Sequence, residues 1–197
     1  MIELVVATRN RHKTREIQPI LGTEFSVRDL GAHPEVSEIR ESGTSFEDNA
    51  KLKALAASKQ LPALVIADDS GLEVDALGGA PGIYSARYAG ANATEKDKID
   101  KLLRELARVA GRRARFRCAV ALARNGNLLG TFEGIVEGSI ADEARGDSGF
   151  GYDPIFVPDG FEQTFGELPT EVKNTISHRA KAIHALADRL RRLEFGD

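Results

Sequence analysis

Cysteine is nearly absent: Cys118 is the only one in 197 residues, so no internal disulfide can staple the fold. Its place in the apolar run Phe116 to Ala123 predicts a buried thiol of a reducing cytosol rather than a nucleophile. No stretch approaches the ~20 consecutive apolar residues that span a bilayer. The opening Met1-Ile2-Glu3-Leu4-Val5-Val6 carries an acid inside its first apolar run and no basic segment ahead of it, so a secretory signal is not expected. Charge of one sign is scarce as well. With 27 Lys and Arg against 30 Asp and Glu the formal net charge is −3, which argues against a general nucleic-acid or acidic-membrane binder. A small polyanion held by a few local cations is still allowed. Internal repeats, low-complexity tracts and linkers are missing too. What remains suits a single globular domain over residues 1–197, long enough to bury roughly 70% of its unfolded surface.

Apolar segments rich in β-branched residues alternate with helical periodicity in the first two thirds of the chain, the pattern of an α/β protein. Ile2 to Thr8 reads as a buried strand, Arg11 to Leu21 as a helix stopped near Gly22, and Phe25 to Leu30 as a short strand. Thr44-Ser45-Phe46-Glu47 has the spacing of a capping box and predicts a helix over Ser45 to Lys59. Ala63 to Ala67 is a short strand expected to stop at two adjacent acids. Ile99, Leu102, Leu103, Leu106 and Val109 fall at helical spacing after Thr94, with Gly111 as the stop. Phe116 to Arg124 and Leu128 to Glu137, joined by Asn125-Gly126-Asn127, form the clearest hairpin. Ser177 is placed to cap a last helix with the inner stripe Ile183, Leu186, Leu190 and Leu193.

Several segments carry chemistry. In Ala67-Asp68-Asp69-Ser70-Gly71-Leu72, two adjacent carboxylates at a strand's C-terminal end could hold a divalent cation and polarise a water, or they could simply be solvated. The stretch Leu77 to Tyr88 is too rich in glycine for a regular element, and either turns or lets backbone approach a ligand. Thr8-Arg9-Asn10-Arg11-His12-Lys13 follows a strand and opens a helix, where amides and cations could receive phosphate. It is not a P-loop, since no Gly-x-x-x-x-Gly-Lys-Ser/Thr occurs. A helix start favours acids through its dipole, so a cluster of cations there is anomalous unless an anion visits. In Gly149-Phe150-Gly151-Tyr152-Asp153-Pro154 an aromatic ring could stack on a base, or the segment could be a tight turn with packed rings. Ser177-His178-Arg179-Ala180-Lys181-Ala182 again starts a helix with donors and cations, a suitable place to meet a carbonyl or phosphate.

Taken in order, Thr8 to Lys13, Ser45 to Ala50, Ala67 to Leu72, Gly78 to Tyr88, Phe150 to Pro154 and Ser177 to Ala182 resemble the inosine triphosphate pyrophosphatase family. The resemblance runs from about residue 2 to residue 190, and its specificity lies in the ordered combination. It implies an α/β fold with a long mixed central β-sheet flanked by helices, two lobes with a deep substrate cleft, and a homodimer. It also implies a cytoplasmic, magnesium-dependent enzyme that hydrolyses ITP, dITP and XTP to the monophosphate and pyrophosphate. By matching motif, Asp69 would be the catalytic carboxylate, and Glu41 with Asp69 would hold Mg2+, with Glu38 or Asp68 as the alternatives for Glu41's role. Thr8, Arg9, Asn10, Arg11, His12 and Lys13 would cradle the triphosphate, with Asn10 and Lys13 foremost and Lys53 adding a cation. Ser70 would touch substrate, Phe150 would stack on the purine, and Gly151, Tyr152 and Asp153 would line the base pocket. Lys173, His178 and Arg179 would contact the base or the phosphates. Arg9 departs from the family pattern, where many relatives carry a smaller residue; its side chain could add a phosphate contact or face solvent.

Two rival readings share these residues. One is a pyrophosphatase directed at pyrimidine or modified nucleotides. The other is a regulatory module that binds a triphosphate without cleaving it, which Asp68 and Asp69 disfavour because extra negative charge near phosphates gains nothing without a metal.

Overall fold

The computed structural model describes residues 2–195, with side chains described as far as Arg192; Met1 and the side chain of Leu193 lie outside them. Six strands form one mixed sheet in the order β2-β1-β3-β4-β5-β6. They are β1 (Ile2–Val6), β2 (Phe25–Asp29), β3 (Leu64–Val74), β4 (Arg113–Arg124), β5 (Asn127–Ile140) and β6 (Phe156–Pro158). The helices are α1 (Arg11–Leu21), α2 (Phe46–Ser58), α3 (Glu95–Glu105), α4 (Thr170–Ile176) and α5 (His178–Phe195). Strand β1 pairs in parallel with both β2 and β3, with Leu4 opposite Val27 and Leu64. Strand β6 is antiparallel to β5. Among the described residues, no helix is long and apolar enough to cross a membrane.

The hairpin between β4 and β5 turns on Asn125 and Gly126, both at positive φ (52° and 76°), the geometry a two-residue turn needs to match strand twist. Both strands outrun the predicted segments, β4 starting at Arg113 and β5 ending at Ile140. The N-cap of α2 is Ser45, whose hydroxyl accepts from the Asp48 amide. The capping motif is therefore displaced by one residue from the expected Thr44–Glu47 box, and Thr44 instead donates its hydroxyl to the Asp48 carboxylate. A complete capping box occurs at α3, between Thr94 and Asp97. That helix ends at Glu105, ahead of the Gly111 stop, because the chain passes into tight turns at Leu106 to Val109.

The largest difference concerns β3. The strand does not stop at the two acids but runs on for seven residues beyond Ala67, to Val74. Asp68 and Asp69 are mid-strand residues, both buried, and they survive burial because cations from other elements meet them.

The chain divides into two compact units. The first comprises the chain up to Asp69, Cys118–Gly134, and the chain from His178 onward. Leu4 and Val6 on β1, Ile66 on β3, and Cys118, Val120 and Leu122 on β4 alternate along their strands and form one face of its core. Ile17 and Leu21 of α1 and Ile183, Leu186 and Leu190 of α5 pack on that face. The alternate residues Val5, Val65, Ala119, Ala121 and Ala123 are buried as well, as are Ala50, Ala54 and Ala57 along one stripe of α2. Both faces of the central strands are thus removed from water. Each large apolar side chain so buried contributes about 1.5–3 kcal/mol, and truncating Leu186, fully buried in this core, would cost about 2–5 kcal/mol.

The second unit comprises Ser70–Arg117 and Ile135–Ser177. Leu72, Val74, Phe116, Val136 and Ile140 from the strands meet Leu102 and Leu106 from the α3 region and Tyr152, Phe156 and Phe165. Phe156 is the centre of its aromatic cluster, with ring centroids 4.7 Å from Phe116 and 5.4 Å from Phe165.

Candidate active site

In the first unit the chemistry gathers around Asp68 and Asp69. Successive strand residues point to opposite faces, so the two carboxylates meet different partners. The Asp68 side chain is fully buried, with Oδ1 3.1 Å from the Lys13 ammonium. Its Oδ2 accepts from Arg179 Nη2 at 3.0 Å and Nε at 3.3 Å. Arg179, itself buried at the start of α5, also donates Nη1 to Glu16 of α1. Asp69 Oδ2 accepts from the Asn49 amide at 3.0 Å, and Oδ1 lies 3.4 Å from Lys53 Nζ. Lys53 Nζ also donates to Glu41 Oε1 at 2.7 Å and to the Asp68 carbonyl at 2.8 Å.

Two adjacent acids are therefore driven in opposite directions. Burial alone would push Asp68 up, but Lys13, Arg179 and Lys53 outweigh it and hold its carboxyl far below the usual range. For Asp69 burial prevails, reinforced by Glu41 and opposed by Lys53, Lys13 and Asn49, so its carboxyl is raised. Lys53 keeps its proton: burial works against the ammonium, and Asp69, Asp68 and Glu41 together reverse the effect. Paired carboxyls whose environments separate their pKa values commonly divide roles, one staying a fixed anion and the other exchanging a proton.

The helix α1 that supplies Lys13 is set by its N-cap. Asn10 Oδ1 accepts from the His12 amide at 2.9 Å, and the Asn10 amide donates to Thr8 Oγ1 at 3.1 Å. Arg11 and His12 are exposed. Arg9 donates from its guanidinium to the carbonyls of Leu30 and Val36, at 2.9 and 2.8 Å. Glu38 is exposed, whereas Glu41 shares the Lys53 ammonium with Asp69. Among the described residues no group of three or more His, Cys, Asp or Glu is gathered tightly enough to hold a metal. The first unit thus brings together Lys13, Glu41, Lys53, Asp68, Asp69 and Arg179, with buried His178 beside Arg179 in sequence. Ser70 follows Asp69 on β3 and is half-buried.

The second unit organises the other expected residues around one ion pair. Lys173 of α4 lies 2.5 Å from Asp153 Oδ2, with both side chains almost wholly buried (6% and 3% exposed). The same oxygen accepts from the Phe150 amide at 2.7 Å. The Lys173 ammonium stands 5.1 Å from the centre of the Phe150 ring, within cation–π range. Gly149 is required here: it sits at φ +77°, and a Cβ would fall 2.1 Å from the Asp153 carboxylate. The Tyr152 hydroxyl donates to the Ser85 carbonyl at 3.0 Å, tying this turn to the 3-10 segment Gly82–Arg87. Gly151 has φ +65°, which gives the turn its direction.

Asn49 and Glu16 were not singled out by the sequence reading. The signal for Asn49 was its place inside a helix, where asparagine is intrinsically poor. For Glu16 it was the three-residue spacing from Lys13, which puts both on one face of α1.

The Ham1 family profile matches residues 4–189. A protein of Bacillus licheniformis named dITP/XTP pyrophosphatase is 48% identical over 193 residues, 95% of this chain and 97% of its own length. One of the same name from Bacillus subtilis is 47% identical over 190 residues, 95% of this chain and 96% of its own. Among solved structures, the Staphylococcus aureus Ham1 protein has a TM-score of 0.86 at 42% identity, covering 96% of this chain and 98% of its own. A HAM1 protein from Coxiella burnetii gives 0.87 at 41%, covering 98% and 100%. The resemblance read from the ordered motifs and the α/β mixed sheet are both borne out, and the chain belongs to the Ham1 family.

Proposed function

We propose that the chain is a nucleoside triphosphate pyrophosphatase that hydrolyses non-standard purine triphosphates (ITP, dITP and XTP) to the monophosphate and pyrophosphate. The observation that carries the reading is the cluster on β3: the adjacent buried carboxylates of Asp68 and Asp69 are met by Lys13, Lys53 and Arg179, with Glu41 on the same Lys53 ammonium and Asn49 on Asp69. The name dITP/XTP pyrophosphatase, borne by relatives that align over almost the full chain, supplies the substrate class.

In this mechanism Asp69 takes a proton from a water as that water's oxygen bonds the phosphorus joining nucleotide to pyrophosphate. The bond from that phosphorus to the pyrophosphate oxygen breaks, and the pyrophosphate leaves. Asn49 fixes the far oxygen of Asp69 and so directs the near one. Lys13 and Lys53 turn their ammonium groups from Asp68, Asp69 and Glu41 toward phosphate oxygens, offsetting the charge that develops on the leaving group. Glu41 and Asp69 fit a hard divalent cation in kind, since both are carboxylates sharing a single positive centre. When bound there, Mg2+ would neutralise phosphate charge and favour ionisation of the attacking water. Thr8 and Asn10 to Lys13 offer amides and cations at the start of α1. Phe150 stacks on the purine, with Ser70, Gly151, Tyr152, Asp153, Lys173 and His178 completing the contacts. A pocket that donates to a 6-oxo group leaves those donors unpaired when adenine enters, so ATP is a poor substrate. The enzyme works in the cytoplasm as a homodimer.

The test is pyrophosphate release from ITP, XTP, GTP and ATP, with and without magnesium. Turnover of ITP and XTP that depends on metal, and that falls by about 10²-fold or more in Asp69→Asn, supports the reading. Full turnover by Asp69→Asn removes Asp69 from the role of base, and binding without turnover makes the chain a regulatory triphosphate binder.

A further inference from the structure

The segment that carries Glu41 has no helix or strand between the end of β2 and the start of α2. It must nevertheless hold Glu41 against Lys53. Its fixed points are few and specific. At its start, the Leu30 amide donates to the Thr8 carbonyl at 3.1 Å, and two successive turns follow, His33 to Leu30 at 3.3 Å and Val36 to His33 at 3.2 Å. Val36 is fully buried. At its end, the Gly43 amide donates to Asn49 Oδ1 at 2.8 Å. The two turns are closed from outside by one side chain: Arg9 Nη1 donates to the Leu30 carbonyl and Nη2 to the Val36 carbonyl. The guanidinium fork therefore spans the first and last carbonyls of the double turn.

We infer that Arg9 is a positioning residue: it braces residues 30–36 onto the turn before α1, and with Asn49 brackets the segment that presents Glu41. Two features favour this over a direct phosphate contact. The guanidinium is committed in a planar, two-pronged arrangement that a point charge cannot copy. Its two acceptors are backbone carbonyls six residues apart, so the bonds set chain geometry rather than neutralise a charge. Asn49 holds the other end of the segment with Oδ1 and Asp69 with Nδ2, so the bracket ends on the residue that also orients Asp69. The brace itself needs no functional assumption. Its consequence for catalysis rests on the proposed role of Glu41.

The experiment compares wild type with Arg9→Ala and Arg9→Lys. Amide hydrogen exchange is followed at Leu30, His33, Val36 and Gly43, whose amides are hydrogen-bonded, together with kcat, KM for ITP and the magnesium concentration giving half-maximal rate. In Arg9→Ala the hydrogen-bonded amides of Leu30, His33 and Val36 are expected to exchange about tenfold faster without a shift in the exchange of α5. The half-saturating magnesium concentration rises about threefold or more, while KM changes less than twofold. Arg9→Lys, which keeps the charge and loses the fork, behaves like Arg9→Ala. Unchanged exchange overturns the brace. Faster exchange with unchanged magnesium dependence overturns its link to Glu41. Restoration by Arg9→Lys of a raised KM assigns Arg9 to the phosphates and overturns the inference. A wild-type protein without metal-dependent turnover removes the proposed role of Glu41, and the exchange result still decides the brace.

Discussion

Replacing Asp153 by Asn offers the sharpest test of the second unit's architecture. The substitution keeps the shape of the side chain and an oxygen that can accept from the Phe150 amide, but removes the negative charge 2.5 Å from Lys173. The ammonium is only 6% exposed, so water does little to replace the lost carboxylate. Removing one member of a buried pair costs about 3–5 kcal/mol, because a buried charge is left behind. For a chain of this length about 2–4 °C of melting temperature is lost per kcal/mol, so Asp153→Asn should melt about 6–20 °C below wild type. The decisive arm is the double variant Asp153→Asn, Lys173→Met, which removes both charges and keeps the volume. It should recover about half of the lost stability or more in urea unfolding, since the pair's worth is far smaller than the cost of breaking it. Equal loss in the single and double variants would mean that the geometry of the turn, not the charge of the buried ammonium, carries the effect, and would refute the reasoning.

Other expectations follow from the same geometry. Asp68 has a lowered carboxyl pKa in the folded chain, so its contribution to stability is complete above the unfolded carboxylate's pKa of about 4. It declines as pH falls below that value and is lost only as pH passes through the much lower folded-state pKa; the urea midpoint of Asp68→Asn should therefore lie well below wild type at pH 7, and the gap should narrow below pH 4 while most of it persists at pH 3. Cys118 is 1% exposed with its thiol pushed up to about 12, chiefly by burial, so an aromatic disulfide reagent should label it only at the rate of global unfolding. Rapid labelling of native protein would contradict its burial. Gly134→Ala would place a Cβ 2.0 Å from the His178 carbonyl and 2.8 Å from the Ala182 amide. It should cost about 1–3 kcal/mol and lower kcat/KM, by displacing the start of α5 and with it Arg179; unchanged kcat/KM would mean that the helix start tolerates the shift.

What was legible in the sequence had local causes. The boundaries of α1 followed from its apolar spacing and from Gly22, and the hairpin from Asn125-Gly126. The strand β3 was cut short because two adjacent acids read as a solvated end. Only the folded chain reveals that Lys13, Lys53 and Arg179 arrive from three helices to neutralise them. Strand β6 has three residues, too few to show a period, and α4 opens after Pro169 with no side-chain cap to announce it. The segments of the candidate site stood out by composition, but which residue meets which did not. Glu16 and Arg179 are 163 positions apart, and no local pattern encodes that distance. Arg9 was open between phosphate and solvent for the same reason, since its two carbonyl partners have no side-chain signature.

The ammonium of Lys53, seated between Glu41 and Asp69, has a further consequence in the economy of encounters. Two carboxylates facing each other without a cation would repel, and the idle protein would spend its time in arrangements from which it must first recover. An apparent affinity is weakened in proportion to the fraction of time the competent arrangement is absent. By lending its own charge while nothing is bound, Lys53 keeps that fraction high. Such readiness matters most to a catalyst whose targets are rare errors in a crowd of correct molecules, where each collision with the right one must count.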